Sequence, residues 1–376
     1  MNQRIHLSSQ NIENNWGKYV EEATASNTSF DNNRNVTAFE KSLESYLGEN
    51  SKVAAVSSGT AGIHLGLILL GVQKGDTVLC QSFTFSASAN PIIYIGAKPI
   101  FIDSEKDTWN ICPAHLEDAI KDCIHKNKKP KAIIAVHLFG MPYNIKAIDD
   151  ISKKYEIPIL EDSAEALGSS YKEKKCGTFG DISVLSFNTN KIITISGGGA
   201  LVSKKRGVVI KARFLATQAK DEAIHYQHSQ IGYNYKMSNI LAGVGRGQMK
   251  VLAEHIGLRR KMNYFYSDLF SDIQGIKLLA EPNNDYFSNH WLTCATFEEH
   301  KLGYDREKLR LAMEAENIEC RPLWKPMHMQ PIFENAPFYG SGVSERLFET
   351  GLCLPSGSNL TDEDRSRIAA VIKKMN

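Results

Sequence analysis

Between residues 52 and 187, short β-rich runs alternate with helical stretches, and this alternation restricts the chain more than any other feature. The runs lie at 53–56, 77–80, 99–102, 132–136, 158–160 and 182–187. Helical patterns at 61–70, 87–94, 113–124 and 145–155 separate most of them. The runs are apolar almost throughout, which predicts strands covered on both faces. Such strands joined by helical crossovers predict an α/β fold with a mostly parallel central sheet between helices. Ligands of these sheets gather at the carboxyl ends of the strands. Ser82, Asp162 and Lys191 fall near such ends.

With 376 residues the chain exceeds one ordinary core, so a large domain with a smaller one is expected. The alternation fades around 250–260, where a basic, helix-prone stretch at 249–268 leads into less regular sequence. We place a large domain with its N-terminal segment at 1–254 and a smaller α+β domain at 255–376. The latter has strand-like runs near 290–297, a helix near 305–315, and a last helix opened by Thr361 with Asp364 three residues on. Near the start, residues 31–35 read as a polar loop. Thr37-Ala38-Phe39-Glu40 then reads as a capping box, opening a helix that runs to about Tyr46 and stops at Gly48.

Composition narrows the function classes. A net charge of +2 speaks against nucleic acid or a membrane surface as the main partner. The first residues lack the apolar core of a signal peptide, and stretches such as 63–72 are too short to span a bilayer. Seven scattered cysteines without a Cys-x-x-Cys pair support neither a disulfide framework nor a zinc site. A reduced, cytoplasmic protein without a metal is expected.

Four segments carry candidate chemistry. Lys191 sits between the apolar run 182–185 and the turn Ser196-Gly197-Gly198-Gly199. It is either a solvated loop lysine or an amine held at the sheet edge beside a ligand. Burial favours the neutral, nucleophilic form of an amine, which forms Schiff bases with carbonyls. Ser57-Ser58-Gly59-Thr60-Ala61-Gly62 joins a strand to an apolar helix, so it is an ordinary N-cap or a phosphate site. Glu161 and Asp162 end an apolar strand. Desolvated carboxylates need a metal, a Lys or Arg partner, or a protonated ring nitrogen. Phe83 and Phe85 end another strand and are either core filler or a plate for a flat cofactor. Together, an amine, a phosphate loop, an acid and an aromatic plate at one sheet edge are what pyridoxal 5′-phosphate requires. Gly243-Val244-Gly245-Arg246-Gly247 follows helix-like sequence rather than a strand, so it fails as a dinucleotide loop.

These residues resemble the sugar aminotransferases of the DegT and DnrJ group, which share the aspartate-aminotransferase fold. The resemblance runs from about residue 30 to the C-terminus. It rests on Ser58-Gly59-Thr60-Ala61, Gly96-Ala97-Lys98-Pro99, Glu161 through Gly168, Gly177-Thr178-Phe179-Gly180, Ser186 through Lys191, and Gly232 through Ser238. It implies a pyridoxal phosphate-dependent transferase of fold type I. Lys191 is implied as the Schiff-base lysine, Asp162 as the partner of the pyridinium, Glu165 as the side chain near the cofactor's 3′-oxygen, and Phe85 as the stacking ring. Gly59, Thr60 and Ser186 are implied as phosphate ligands. Asn234 resembles the asparagine that a neighbouring subunit contributes, which implies a homodimer with shared active sites.

Within the group the chain is most similar to transaminases acting on a UDP-linked 4-keto-6-deoxy-N-acetylglucosamine, with L-glutamate as amino donor. The similar segments are Lys191 through Gly199, Arg321-Pro322-Leu323-Trp324-Lys325 with Met327-His328, and Leu352 through Gly357. Arg321 and Lys325 are diphosphate partners or a surface cationic loop. His328 contacts substrate or caps a turn. The chain departs from the group's pattern at Lys236, where Arg is usual, at Thr189 and Ser163, and at Gly198, where many relatives carry Glu. None of these removes a catalytic group. Alternatives are amination of a dTDP-linked 4-keto-6-deoxyhexose or of a 3-ketosugar. Dehydratases of the same fold carry histidine in place of the lysine, and Lys191 speaks against that class here.

Overall fold

A computed structural model describes residues 3–9, 16–24, 33–48 and 50–375. The expected runs form strands β1 (Lys52–Val56), β2 (Thr77–Gln81), β3 (Lys98–Ile102), β4 (Ala132–Val136) and β5 (Ile159–Asp162). A short hairpin, β6 (Ser170–Tyr171) with β7 (Lys174–Lys175), precedes β8 (Ile182–Ser186) and β9 (Gly199–Ser203). The main sheet has eight strands in the order β1, β9, β8, β5, β4, β2, β3 and Phe338–Tyr339. Pairing is parallel from β8 to Phe338–Tyr339, whereas β9 is antiparallel to both β1 and β8. The fold is the mostly parallel α/β type expected. β9 was not among the expected runs, because its first residue, Gly199, was read as part of the glycine turn, which leaves an apolar run of only Ala200-Leu201-Val202.

Helices α3 (Gly59–Leu69), α4 (Ser86–Tyr94), α5 (Pro113–His125) and α6 (Ile145–Tyr155) cover the sheet, as the crossover pattern requires. α3 lies close on the sheet because of two small residues. A Cβ on Gly62 would meet Val184 Cγ1 at 2.9 Å, and one on Gly66 would meet Leu160 Cδ1 at 2.7 Å.

Two N-terminal helices depart from expectation. α1 is Gly17–Thr24, and α2 is Arg34–Leu47, so α2 begins before Thr37. Asn33 precedes α2 in the left-handed region (φ 50°) without capping it. The cap comes from elsewhere: the Asn35 N–H donates to Asn239 Oδ1 at 3.0 Å. Glu40 has left the expected box to accept the Ala55 N–H at 2.8 Å and to pair with Arg213 at 2.9 Å. The positions 31 and 32 of the expected loop lie outside the described residues.

After α7 (Arg206–Ala216), the long α8 (Asn239–Phe270, 32 residues) runs through the expected boundary at 254/255 without interruption. Leu252 and Ile256 pack in a core with α2 and β9, while Met262, Tyr266 and Phe270 pack in the core of the smaller unit. That unit is an antiparallel sheet of Ile276–Leu278, Thr293–Phe297, Gly351–Leu354 and Arg321–Pro322, packed with helices Arg306–Ala315 and Asp362–Met375. Thr361 and Asp364 form the expected capping box, with N–H donations of 3.2 and 3.0 Å. The two units are interlaced: Ile5 is buried in the smaller core beside Ile318, and Phe338–Tyr339 extends the large sheet. Among the described residues, no helix is long and apolar enough to cross a membrane.

Candidate active site

Successive strand residues point to opposite faces, and at the end of β5 this separates Glu161 from Asp162. Glu161 is fully buried and spent on structure. Its carboxylate accepts from Ser163 Oγ, Ser183 Oγ and the N–H groups of Gly177, Phe179 and Gly180, and lies 2.7 Å from His137 Nε2. Burial alone would raise its pKa. The hydrogen bond and charge of His137, with Ser183 and Gly180, outweigh burial and hold it at about 2.

Asp162 faces a cavity of about 430 Å³ at the carboxyl edge of the sheet. It is 4% exposed. Ser88 Oγ donates to Oδ2 at 2.7 Å and the Ala164 N–H to Oδ1 at 3.1 Å. Burial raises its pKa, and these donors and Lys191 offset this only in part. Such a carboxylate favours a nearby cation.

Lys191 stands in the irregular link between β8 and β9. Ile192, Ile193 and Ile195 are buried beside it and pin the link to the core. The amine is thereby turned inward, and Lys191 is 8% exposed. Its Nζ donates to Glu165 Oε1 at 3.0 Å and lies 4.3 Å from the centre of the Trp291 ring. Burial raises the pKa of Glu165, opposed by Lys191 and by the Phe139 N–H, which donates to Oε2 at 2.8 Å.

A further wall is the start of α3. Ser58 caps it by accepting the Ala61 N–H at 3.0 Å, and Gly59 and Thr60 line the cavity beside Ser186. β9 passes so close that a Cβ on Gly199 would lie 2.5 Å from the Ser58 carbonyl carbon. A helix N-terminus carries unsatisfied N–H groups and partial positive charge, which suit a phosphate. Phe85, 57% exposed, stands at the cavity with its ring 5.5 Å from that of Trp324.

The structure thus brings Gly59, Thr60, Phe85, Asp162, Glu165, Ser186 and Lys191 to one cavity, with Arg321 at its wall. Arg321 is paired with Glu319 at 2.7 Å. Lys325, His328 and Asn234 do not line it. Both ring nitrogens of His328 are engaged, with Ser82 Oγ at 2.7 Å and Glu345 Oε1 at 3.1 Å, and its ring stacks on Phe338 at 3.7 Å. Lys325 is half-buried, and its carbonyl accepts from Gln330. Asn234 is exposed, bridged to Thr217. Leu7, Ser88, Trp291, Trp324 and Cys353 also line the cavity and were not foreseen. Leu7, Ser88 and Trp291 lie in segments with no motif of their own, whereas Trp324 and Cys353 belong to the segments 321–325 and 352–357 without having been singled out there.

A buried amine, a desolvated carboxylate wanting a cation, and a helix N-terminus in one cavity fit pyridoxal phosphate. The sequence match agrees, covering residues 10–373 of the chain. The chain belongs to the DegT/DnrJ/EryC1/StrS aminotransferase family. As a member it is a pyridoxal phosphate-dependent sugar aminotransferase. It is 46% identical over 376 residues, 99% of this chain and 96% of the relative, to EpsN of Bacillus subtilis, whose assigned name is that of a pyridoxal phosphate-dependent aminotransferase. It is 35% identical to a GDP-perosamine synthase of Escherichia coli O157:H7, over 82% of this chain and 81% of that one. The crystal structure of a DegT DnrJ EryC1 StrS aminotransferase from Brucella abortus superimposes with a TM-score of 0.89 at 28% identity, covering 96% of this chain and 95% of that one.

Proposed function

We propose that this aminotransferase moves the amino group of L-glutamate to the C4 ketone of a nucleotide-linked 4-keto-6-deoxysugar. The products are the 4-amino sugar and 2-oxoglutarate, for synthesis of a surface glycan in the cytoplasm. The observation that supports this most is the grouping of Lys191, Glu165 and Asp162 in a cavity that extends past Phe85 and Trp324 to Arg321. When bound, pyridoxal phosphate supplies an aldehyde for covalent attachment and a ring that accepts the electron pair of a departing proton.

Lys191 is the attachment point. Its free amine would act as general base and acid, taking the proton that leaves the amino acid's α-carbon. The same amine would deliver a proton to C4 of the sugar. Asp162 would keep the ring nitrogen protonated. Glu165, which accepts from the Lys191 amine at 3.0 Å, would be the side chain toward the cofactor's 3′-oxygen. Gly59, Thr60 and Ser186 hold the phosphate. Asn234, exposed on its own subunit, serves the phosphate site of the second subunit in a homodimer.

The favoured substrate is a UDP-linked 2-acetamido-2,6-dideoxy-4-ketohexose, supported by the motifs at 191–199, 321–328 and 352–357. A GDP-linked 4-ketosugar is the second reading, supported by the relation to a GDP-perosamine synthase. Incubation with L-glutamate and UDP-, GDP- or dTDP-linked 4-ketosugars, with mass detection of the product, separates them. An amino product from the UDP sugar is expected. Amination of the GDP sugar alone moves the assignment to the second reading, and no product from any sugar overturns both. Lys191→Ala is expected to abolish turnover and the absorbance of lysine-bound cofactor.

A further inference from the structure

Trp291 has no role in the reading above, yet it is the bulkiest fully buried side chain among the described residues. Its ring face lies 4.3 Å from Lys191 Nζ. Its indole N–H donates at 2.6 Å to the carbonyl of Asn190, the residue that precedes Lys191. Its backbone N–H donates at 2.8 Å to Asn289 Oδ1. The amide nitrogen of Asn289 in turn donates to the carbonyls of Glu165 at 2.8 Å and Leu167 at 2.9 Å. One short segment therefore grips both the turn that carries Lys191 and the segment that carries Glu165.

The segment is itself tightly set. His290, between the two gripping residues, adopts the left-handed region (φ 46°), a conformation that persists only where the surroundings impose it. A Cβ on Gly140 would lie 2.0 Å from Asn289 Oδ1, so that position admits only glycine. The Trp291 carbonyl accepts from the buried Arg259 guanidinium, which also donates to Ser8 Oγ at 3.0 Å. Ser8 Oγ donates to the same Asn190 carbonyl at 2.9 Å. Helix α8, the N-terminal segment and the smaller unit thus converge on the peptide before Lys191.

We propose that Trp291 is a positioning residue for Lys191. Its ring face is the resting surface of the ε-ammonium whenever the amine is not bonded to the cofactor. Its indole N–H fixes the turn from which that amine swings. An ammonium is attracted to an indole face most strongly where water is excluded. A lysine side chain released into a cavity otherwise regains its rotamer freedom and must lose it again at each proton transfer. The proposal rests on the aminotransferase reading of Lys191. It adds that the amine is parked by a residue of the smaller unit.

The test compares Trp291→Phe, which keeps a ring face but loses the donor, with Trp291→Leu, which loses both. In apoprotein mixed with pyridoxal phosphate, the rate of borohydride-trappable attachment to Lys191 is followed by peptide mass. Attachment is expected to slow about tenfold in Trp291→Phe and about a hundredfold in Trp291→Leu. The two half-reactions, with L-glutamate and with ketosugar, are expected to slow by similar factors, with the KM values nearly unchanged. Attachment at the wild-type rate in a folded Trp291→Leu protein overturns the proposal. Slowing of the ketosugar half alone also overturns it, since Trp291 is then a substrate wall. The Phe variant, with its smaller change in volume, keeps the test open if the Leu variant melts early. The attachment assay needs neither amino donor nor sugar, so it still reads Trp291 if the wild-type protein aminates no ketosugar.

Discussion

Adjacent carboxylates in this protein have opposite physics. Glu161 is buried among donors that hold its pKa at about 2, below the usual glutamate value of 4.5. A depressed folded pKa contributes stability that is present above the unfolded value and lost as pH falls through the folded one. Glu161→Gln leaves several donors poorly matched and is expected to destabilise the protein by about 3 kcal/mol or more, read from urea midpoints at neutral pH. Asp162 has a raised pKa because burial penalises its charge. The sign is therefore reversed: in the apoprotein, ionising Asp162 costs stability above its folded pKa. Asp162→Asn is expected to raise the apoprotein's melting temperature at neutral pH, with the gain vanishing at pH values below the unfolded aspartate pKa. Its turnover is expected to fall about 10³-fold, because the asparagine no longer stabilises a protonated ring nitrogen. A variant that loses apoprotein stability at pH 7 contradicts this.

At the scale of elements, α8 shows how one glycine-rich stretch serves packing. Gly243, Gly245 and Gly247 lie in the helix where α1 and α2 cross it. A Cβ would meet the Tyr19 carbonyl oxygen at 3.0 Å, the Phe39 ring at 2.8 Å and Trp16 Cβ at 2.8 Å, respectively. Gly257, further along the same helix, has nothing within 4 Å. Alanine favours a helix over glycine by about 1 kcal/mol. Gly257→Ala is therefore expected to stabilise the protein by up to about 1 kcal/mol. Gly245→Ala is expected to destabilise it by about 1–3 kcal/mol, because the overpacking against Phe39 outweighs propensity. Equilibrium unfolding in urea reads both. The glycines at 243–247 were legible in sequence as something other than a dinucleotide loop. Their actual role was not, since the crossing helices lie some two hundred residues away and leave no spacing signal.

At the scale of the whole molecule, the 289–291 segment ties helix α8 to the turn before Lys191 and to the segment of Glu165. His290 is buried there, and burial lowers its pKa to about 4, with Glu281 only partly offsetting this. The folded protein therefore keeps His290 neutral while the unfolded chain protonates near pH 6.5. Stability tied to this group is complete above about pH 6.5 and is lost as pH falls towards 4, by roughly 3 kcal/mol on the linkage relation. Urea midpoints are expected to fall over that window and to fall less in His290→Asn, which tolerates the left-handed backbone. An equal slope in the two proteins removes His290 as the cause. The Glu161 contribution is lost lower, between about pH 4.5 and 2, so the two are separable by pH alone.

The sequence by itself determined the parallel sheet, its crossover helices, and the placing of Gly59, Thr60, Phe85, Asp162, Glu165, Ser186 and Lys191 at one edge. The sheet, the helices and the edge at which Lys191, Asp162, Phe85 and the Gly59–Thr60 loop gather follow from local periodicity, since continuous apolar runs and helical spacing record which faces are buried; Glu165 and Ser186 came in only through the family resemblance. The residues alone left Glu161 and Asp162 together at the end of one strand, with Asp162 taken as the cofactor's partner through the resemblance; the packed sheet turns Asp162 to the cavity and Glu161 to structural donors. The tertiary structure alone decided the cap of α2 by Asn239, the antiparallel insertion of β9, the engagement of His328 away from the cavity, and the grip of Trp291 and Asn289 on Lys191 and Glu165. Each of these is a hydrogen bond or contact between segments distant in the chain. Such contacts depend on how the elements dock, and no local pattern of residue types encodes them.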